Sequence, residues 1–349
     1  LAEAPYCVRK TPSGAPNDID CCPRAIGRAS QRLTRAARIR VRHTRVMTAP
    51  TIEIRRFLHC NYNCRDLEVL ERFYVGLFDL RPLMRSTPGA VDKGNPFGLY
   101  QQTASEATFL YDHRGGRRAN SVELVKWTEP ATIGHPYPNA WDRGMQSVGF
   151  SHADLRAVVA QTPTLGGSVV HQTDEAVLLR DPEGVAVEVY REDGPSEARS
   201  IRIVCSDLER SVRWWESLGF TPATASVAVP GASLWTGDGE HELVEERPMV
   251  PTDDDSLQLV LTRWSGSVSS NAVYGAPYHE GLFRMATAVD DAQAAYDALA
   301  PSGVAVPGPH TFAMPGTPLT DGLKILFIRD PMGILVELVE RPRGNFSRA

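Results

Sequence analysis

The hydrophobic and polar positions from residue 59 onward begin with a short alternating run, HCNYNC. Successive side chains of a strand point to opposite faces, so His59, Asn61 and Asn63 share one face and Cys60, Tyr62 and Cys64 the other. Asp66 then reads as a helix N-cap, and Leu67, Leu70, Phe73, Tyr74 and Leu77 recur at helical spacing behind it. The same layout returns at residues 200–220 (SIRIVCSDLERSVRWWESLGF), with Asp207 as the cap and Leu208, Val212, Trp215 and Leu218 as the buried stripe. Two strand–turn–strand signals are also paired, AVLLRDPEGVAVEVY at 176–190 and KILFIRDPMGILVELV at 324–339. Between these landmarks lie SVELVKW from Ser121 and SLQLVLTRW from Ser256, then GMQSVGFSHADL from Gly144 and GLFRMATAVDDA from Gly281.

The caps at Asp66 and Asp207 lie 141 residues apart, and the Asp-Pro-x-Gly turns at Asp181 and Asp330 lie 149 apart. Solenoid repeats run about 20 to 50 residues, so this spacing indicates duplicated domains instead. Each half holds two strand, helix, three-strand modules, near 55–130, 143–192, 198–265 and 280–341. The expected fold is α+β, with four βαβββ modules paired into two domains, 52–194 and 198–342. The segment REDGPSEARS at 191–200 reads as the exposed linker between them.

Composition adds one feature. Residues 1–46 hold ten Lys or Arg against three Asp or Glu, while the whole chain carries a net charge of −5. This basic leader lacks apolar periodicity and reads as a disordered tail, a processed leader or sequence upstream of a start at Met47. No aromatic residues interleave with its arginines, which argues against a nucleic-acid partner. No apolar run reaches the roughly 18 to 20 residues of a membrane span, and no secretory signal core is present. The expectation is a cytoplasmic protein with no membrane partner, and a homodimer is the oligomer left open. The six cysteines have neither zinc-site spacing nor disulfide-scaffold density, and read as reduced structural thiols.

The segment HCNYNCRDLEVLERFY and the hairpin RDPEGVAVEVY resemble the vicinal oxygen chelate superfamily, over nearly everything after Met47. The resemblance implies paired glyoxalase-like modules cupped around a ligand cavity. It also implies a divalent metal held by one position on the first and one on the last strand of each module. In the first half those positions read His59, Glu123, Ser147 and Glu188. Parity agrees that Glu188 points away from Val185, Val187 and Val189, and that Glu123 points away from Val122 and Leu124. The expected metal ligands are therefore His59, Glu123 and Glu188, a set suited to zinc, manganese, iron or nickel. The plainer alternative is a polar pair of His59 with Glu123, leaving Glu188 as a relic.

The matching positions of the second half, Ser200, Gln258, Arg284 and Glu337, include a cation and are expected to hold no metal. Arg284 is expected either to anchor a ligand anion or to pair internally with Glu337. Asn61, Arg284 and Trp141 are the expected small-molecule contacts, and Trp127, Trp235 and Trp264 are further candidate walls. His135, Tyr137 and Trp141 lie in a long connection at 128–144, either a cover for the pocket or a surface crossover.

Two functions follow. With a metal, the resemblance implies bidentate chelation of a small oxygen-rich substrate and isomerase or lyase chemistry, with Glu188 or Glu123 as the catalytic base. Extradiol-type dioxygenase chemistry is less favoured, because only one His occupies an expected position. Without a metal, the chain is a small-molecule binding or resistance protein of the antibiotic-binding kind. Since the basic leader has no core-forming pattern, a chain begun at Met47 is expected to unfold within about 2 °C of the full sequence in a thermal melt. A larger loss of Tm contradicts that expectation.

Overall fold

The structure is a computed structural model, and it describes residues 52–86, 89–91, 103–224, 234–266, 273–300, 308–313 and 322–341. The basic leader lies outside the described residues, and Thr48–Ala349 form one compact unit.

The first module comprises β1 (Arg56–Cys64), α1 (Leu67–Phe78), β2 (Arg81–Arg85), β3 (Gly89–Val91), β4 (Thr103–Tyr111) and β5 (Ser121–Glu129). The second comprises β6 (Gly144–His152), α2 (Leu155–Gln161), β7 (Ser168–Gln172), β8 (Ala176–Arg180) and β9 (Ala186–Arg191). In the third come β10 (Ala198–Val204), α3 (Leu208–Glu216), β11 (Phe220–Pro222), β12 (Leu243–Pro251) and β13 (Gln258–Trp264). The fourth holds β14 (Gly281–Val289), α4 (Ala292–Leu299), β15 (His310–Phe312), β16 (Leu323–Arg329) and β17 (Leu335–Glu340). These are the four expected βαβββ modules, the first with the short β3 in addition, and their edges lie within a few residues of those read from the sequence.

The caps form as expected. Asp66 accepts from the amides of Glu68 and Val69, and Asp207 from that of Arg210. Leu67, Leu70, Phe73, Tyr74 and Leu77 are all buried along α1. On α3, Leu208 and Trp215 are buried, whereas Val212 is only half-buried.

Pairing of the modules differs from the expected division. One sheet runs β15-β16-β17-β14-β1-β5-β4-β2, with β3 on β4, and the other runs β11-β12-β13-β10-β6-β9-β8-β7. The first module therefore pairs with the fourth through antiparallel β1 and β14, and the second with the third through β6 and β10. The boundary between 52–194 and 198–342 falls inside one sheet. The segment 191–200 is a loop joining β9 to β10 within that sheet, while the connections between sheets leave from β5 and β13. The long connection after β5 is a crossover.

The helix-bearing faces of the two sheets share one core. Tyr62, Leu70 and Phe73 of the first module pack in the same cluster as Val148, Phe150 and Ile201. Phe78 stacks on Phe150 at 4.2 Å between ring centroids. Tyr62 and Tyr74 both donate from their hydroxyls to Asp181, at 3.1 and 3.0 Å, tying the first sheet to the turn between β8 and β9 of the second. Cys60, Tyr62 and Cys64 face this core, leaving His59 on the opposite, cupped side. Among the described residues no helix is long and apolar enough to cross a membrane.

Both Asp-Pro-x-Gly turns are built alike. Asp181 Oδ1 accepts from the amides of Glu183 and Val185, and Asp330 Oδ1 from those of Met332 and Ile334. Gly184 and Gly333 sit at φ of 94° and 95°, a conformation that disfavours any side chain. Burial raises Asp181 to about 6 and Asp330 to about 7. A carboxyl raised in this way binds more protons folded than unfolded. Its favourable contribution is complete below about pH 4 and is lost as the pH rises through its folded value. Replacing Asp330 by Asn should therefore flatten the fall in stability between about pH 4 and pH 7, changing the gap to wild type by ~1–3 kcal/mol across that interval. Urea denaturation at stepped pH reads this directly, and parallel curves for the two proteins contradict it.

Candidate functional site

A cavity of ≈ 70 Å³ opens on the cupped face of the first sheet, where modules one and four meet. His59, Glu123, Arg284 and Glu337 form a polar cluster in it, Arg56, Tyr111 and Arg341 line it further out, and Leu58, Met84, Phe109, Leu323, Ile325, Phe327 and Val339 supply apolar wall. The register explains this convergence: Asn61 on β1 lies beside Glu123 on β5 and Arg284 on β14, and Ala286 on β14 lies beside Glu337 on β17. The β1 register slips between Phe57 and His59. A bulge of this kind re-aims side chains, and Leu58 lines the cavity along with its neighbour His59.

His59 Nε2 lies 3.3 Å from an oxygen of Glu123 and 3.3 Å from an oxygen of Glu337. Its ring meets Phe109 edge-on at 5.4 Å. Arg284 donates from Nη2 to Glu123 at 2.9 Å and from Nε to Glu337. Burial by itself works to raise the Glu337 carboxyl, but Arg284 and His59 outweigh it and bring it down to about 2. Burial likewise opposes the Arg284 charge, and Glu123 and Glu337 more than restore it. One guanidinium thus holds two buried carboxylates, with an imidazole beside both.

The expected metal set does not assemble. Glu188 lies in the second sheet, because its module pairs with the third and not with the first. There Arg202 grips it bidentately, Nε to Oε1 at 2.7 Å and Nη2 to Oε2 at 2.8 Å, with Ser147 and Tyr190 also donating to it. Burial opposes ionisation of Glu188, yet Arg202 holds its pKa below the usual carboxylate range. Arg202 also donates to Glu246 and lies 5.5 Å from the Trp235 ring centre. A Cβ at Gly149 would stand 2.1 Å from Ser200 Oγ, so glycine is what lets β6 and β10 close over this cluster. Trp235, Trp264, Leu178 and Tyr190 pack together on this sheet as a buried apolar cluster. Its equivalent position is sealed.

The expected small-molecule contacts divide. Arg284 reaches the cavity but is engaged by both carboxylates. Asn61 is fully buried and donates to Glu123 at 3.3 Å, which makes it a positioning residue. Trp141 packs against the second sheet's cluster and stacks on His241 at 4.4 Å. Trp127 donates to Asn63 at 3.1 Å. Two cavity-lining cations, Arg56 and Arg341, were not anticipated; the alternation Glu337, Val339, Arg341 along the last strand was the available signal for the second.

A divalent ion does not fit this donor set. His59, Glu123 and Glu337 converge, but a dication on the two carboxylates would stand within roughly 4 Å of the guanidinium they already bind. At an effective dielectric of about 20 that repulsion is on the order of 8 kcal/mol. Among the described residues no group of three or more His, Cys, Asp or Glu is arranged to hold a metal.

Two sheets, each of two βαβββ modules joined through their first strands, define the class of fold. Glyoxalase I from Zea mays matches it with a TM-score of 0.59 at 19% identity, over 83% of this chain and 93% of that one. A putative dioxygenase from Bacillus subtilis subsp. subtilis str. 168 matches at 0.52 and 12% identity, over 82% and 86%. No curated protein matches the chain in sequence. Residues 199–338 match the family model described as the Glyoxalase/Bleomycin resistance protein/Dioxygenase superfamily. That segment, which runs from β10 into β17, is similar to this superfamily.

Replacing Arg284 by Met leaves two buried carboxylates without their guanidinium, so it should destabilise the protein by about 3–5 kcal/mol at pH 7. Because Glu337 is held low by Arg284, the difference should shrink as the pH falls below about 4.5, where the unfolded carboxyls protonate. Chemical denaturation at pH 7 and pH 4 measures both. A variant as stable as wild type at pH 7 contradicts the pairing.

Proposed function

We propose that the chain is a metal-independent, small-molecule-binding member of its superfamily, holding its ligand in the cupped cavity of the first sheet. The observation that carries this reading is the Arg284 guanidinium on both Glu123 and Glu337. It occupies the charge role a divalent ion would otherwise fill, and an arginine stays protonated throughout the physiological range. The apolar wall and few convergent polar groups have the make-up of a small-molecule site. Of the two functions read from the sequence, this is the binding alternative. Among the described residues, isomerase, lyase or dioxygenase chemistry by chelation has no donor set free of the guanidinium to work from.

Protein purified without chelator should contain well below about one divalent ion per chain, and zinc, manganese, iron(II) and nickel should leave its Tm unchanged. Arg284→His removes the competing charge and adds a donor beside His59, Glu123 and Glu337, so this variant should gain about one zinc ion per chain. Elemental analysis and thermal shift read both. A wild-type protein that binds about one ion per chain, and loses it in Glu123→Gln or Glu337→Gln, overturns the reading.

A further inference from the structure

Resting on the metal-independent reading above, we propose that the first-sheet cavity takes an uncharged hydroxyl compound with a short apolar body, its hydroxyl against Glu123 and His59 and its body against Phe109, Ile325 and Val339.

Two groups at the polar end are left to meet such a ligand. Glu123 Oε2 accepts from Arg284 and Asn61 and stands 3.3 Å from His59 Nε2. The other oxygen of the same carboxylate, Oε1, receives no donor among the described residues. A carboxylate accepts through both of its oxygens, so this one is left with its capacity unused. His59 Nε2 stands 3.3 Å from Glu337 as well, just outside the range of about 2.7–3.2 Å for a formed N–H···O bond, and among the described residues it has no closer acceptor. A hydroxyl both donates and accepts. One O–H can therefore serve the carboxylate oxygen and the imidazole together.

Charge balance selects an uncharged ligand. With His59 counted neutral, Glu123 and Glu337 against Arg284 leave the polar end with one net negative charge. Arg341 lines the cavity four residues beyond Glu337, and Asp254 offsets Arg56, so the surroundings as a whole are balanced. An anion is opposed at the carboxylates, and an ammonium would shed its hydration into a space whose charges already answer one another. A neutral hydroxyl loses less hydration and recovers it in two hydrogen bonds. Size limits the body. One water takes up roughly 10–15 Å³ of cavity volume, so the ≈ 70 Å³ here holds about five non-hydrogen atoms. The wall beside the polar cluster is aromatic and aliphatic, and Phe109 meets His59 edge-on, so the atoms that carry the hydroxyl must be apolar.

The test compares 1-butanol with diethyl ether, its isomer without a donor, and with butylamine and butyrate. Each is titrated at pH 7 in EDTA while the methyl resonance of Met84, in the cavity wall, is followed by NMR. Wild-type protein should bind 1-butanol about tenfold more tightly than diethyl ether, and both ions more weakly than the alcohol. In Glu123→Gln, whose acceptor is uncharged, the preference for alcohol over ether should fall to about threefold or less. Leu323→Trp, which fills the cavity, should abolish binding of both. If Glu123→Gln fails to fold, the wild-type series and Leu323→Trp decide the matter alone. The ligand class is overturned if the ether or either ion binds as tightly as the alcohol, if Met84 does not respond with or without zinc, if Glu123→Gln keeps the full preference, or if Leu323→Trp still binds. Alcohol binding that appears only with added zinc and vanishes in EDTA instead overturns the metal-independent reading on which this proposal rests.

Discussion

The antiparallel contact of β1 with β14 decides which side chains of this chain can meet. It brings the first and last modules into one sheet and leaves the second and third to form the other. His59 and Glu123 consequently face Arg284 and Glu337, more than 150 residues away in sequence. Because the two sheets turn their helix-bearing faces toward one core, the cupped faces point away from it and are free to differ. The hydroxyls of Tyr62 and Tyr74 on Asp181 hold this arrangement from inside, at a position where an unpaired carboxylate would be costly.

What the sequence made legible was local. Strand parity correctly separated Cys60, Tyr62 and Cys64 from His59, because a two-residue period survives any choice of partner strand. Asp66 and Asp207 marked helix starts through the chemistry of their own side chains. Module pairing was not legible, for a physical reason. All four modules open with a strand of similar pattern, and any two such strands satisfy each other's backbone groups. The choice among them rests on contacts between segments distant in sequence, which no local window contains. Glu188 was misassigned by that route alone, since its orientation within β9 had been read correctly. Arg56 was hidden by the β1 irregularity, which breaks the alternation between it and His59.

The two cupped faces show what becomes of equivalent positions under different neighbours. In the second sheet, one arginine meets one carboxylate bidentately, two hydroxyls complete the set and tryptophans cover it. The result is a buried pair whose removal by halves is destabilising and whose chemistry is closed to solvent. In the first sheet, one arginine is divided between two carboxylates, and an imidazole faces both. Phenylalanines and aliphatic side chains stand back from this group and leave a cavity. Small or polar residues at Ser147, Ser200 and Gly149 permit the closure of one face. Larger ones at His59 and Arg284 hold the other open.

Exchanging a divalent ion for a guanidinium changes what such a cavity can select. An ion offers open coordination positions and lowers the pKa of a bound water, so it rewards ligands with neighbouring oxygens. A guanidinium saturated by two carboxylates offers neither, and it stays protonated throughout the physiological range. Recognition must then come from shape and from the remaining charges along the wall. The polar cluster supplies a rigid end, in which one guanidinium is shared by two carboxylates. With that guanidinium shared between two carboxylates, the aromatic and aliphatic wall offers most of the surface left for contact.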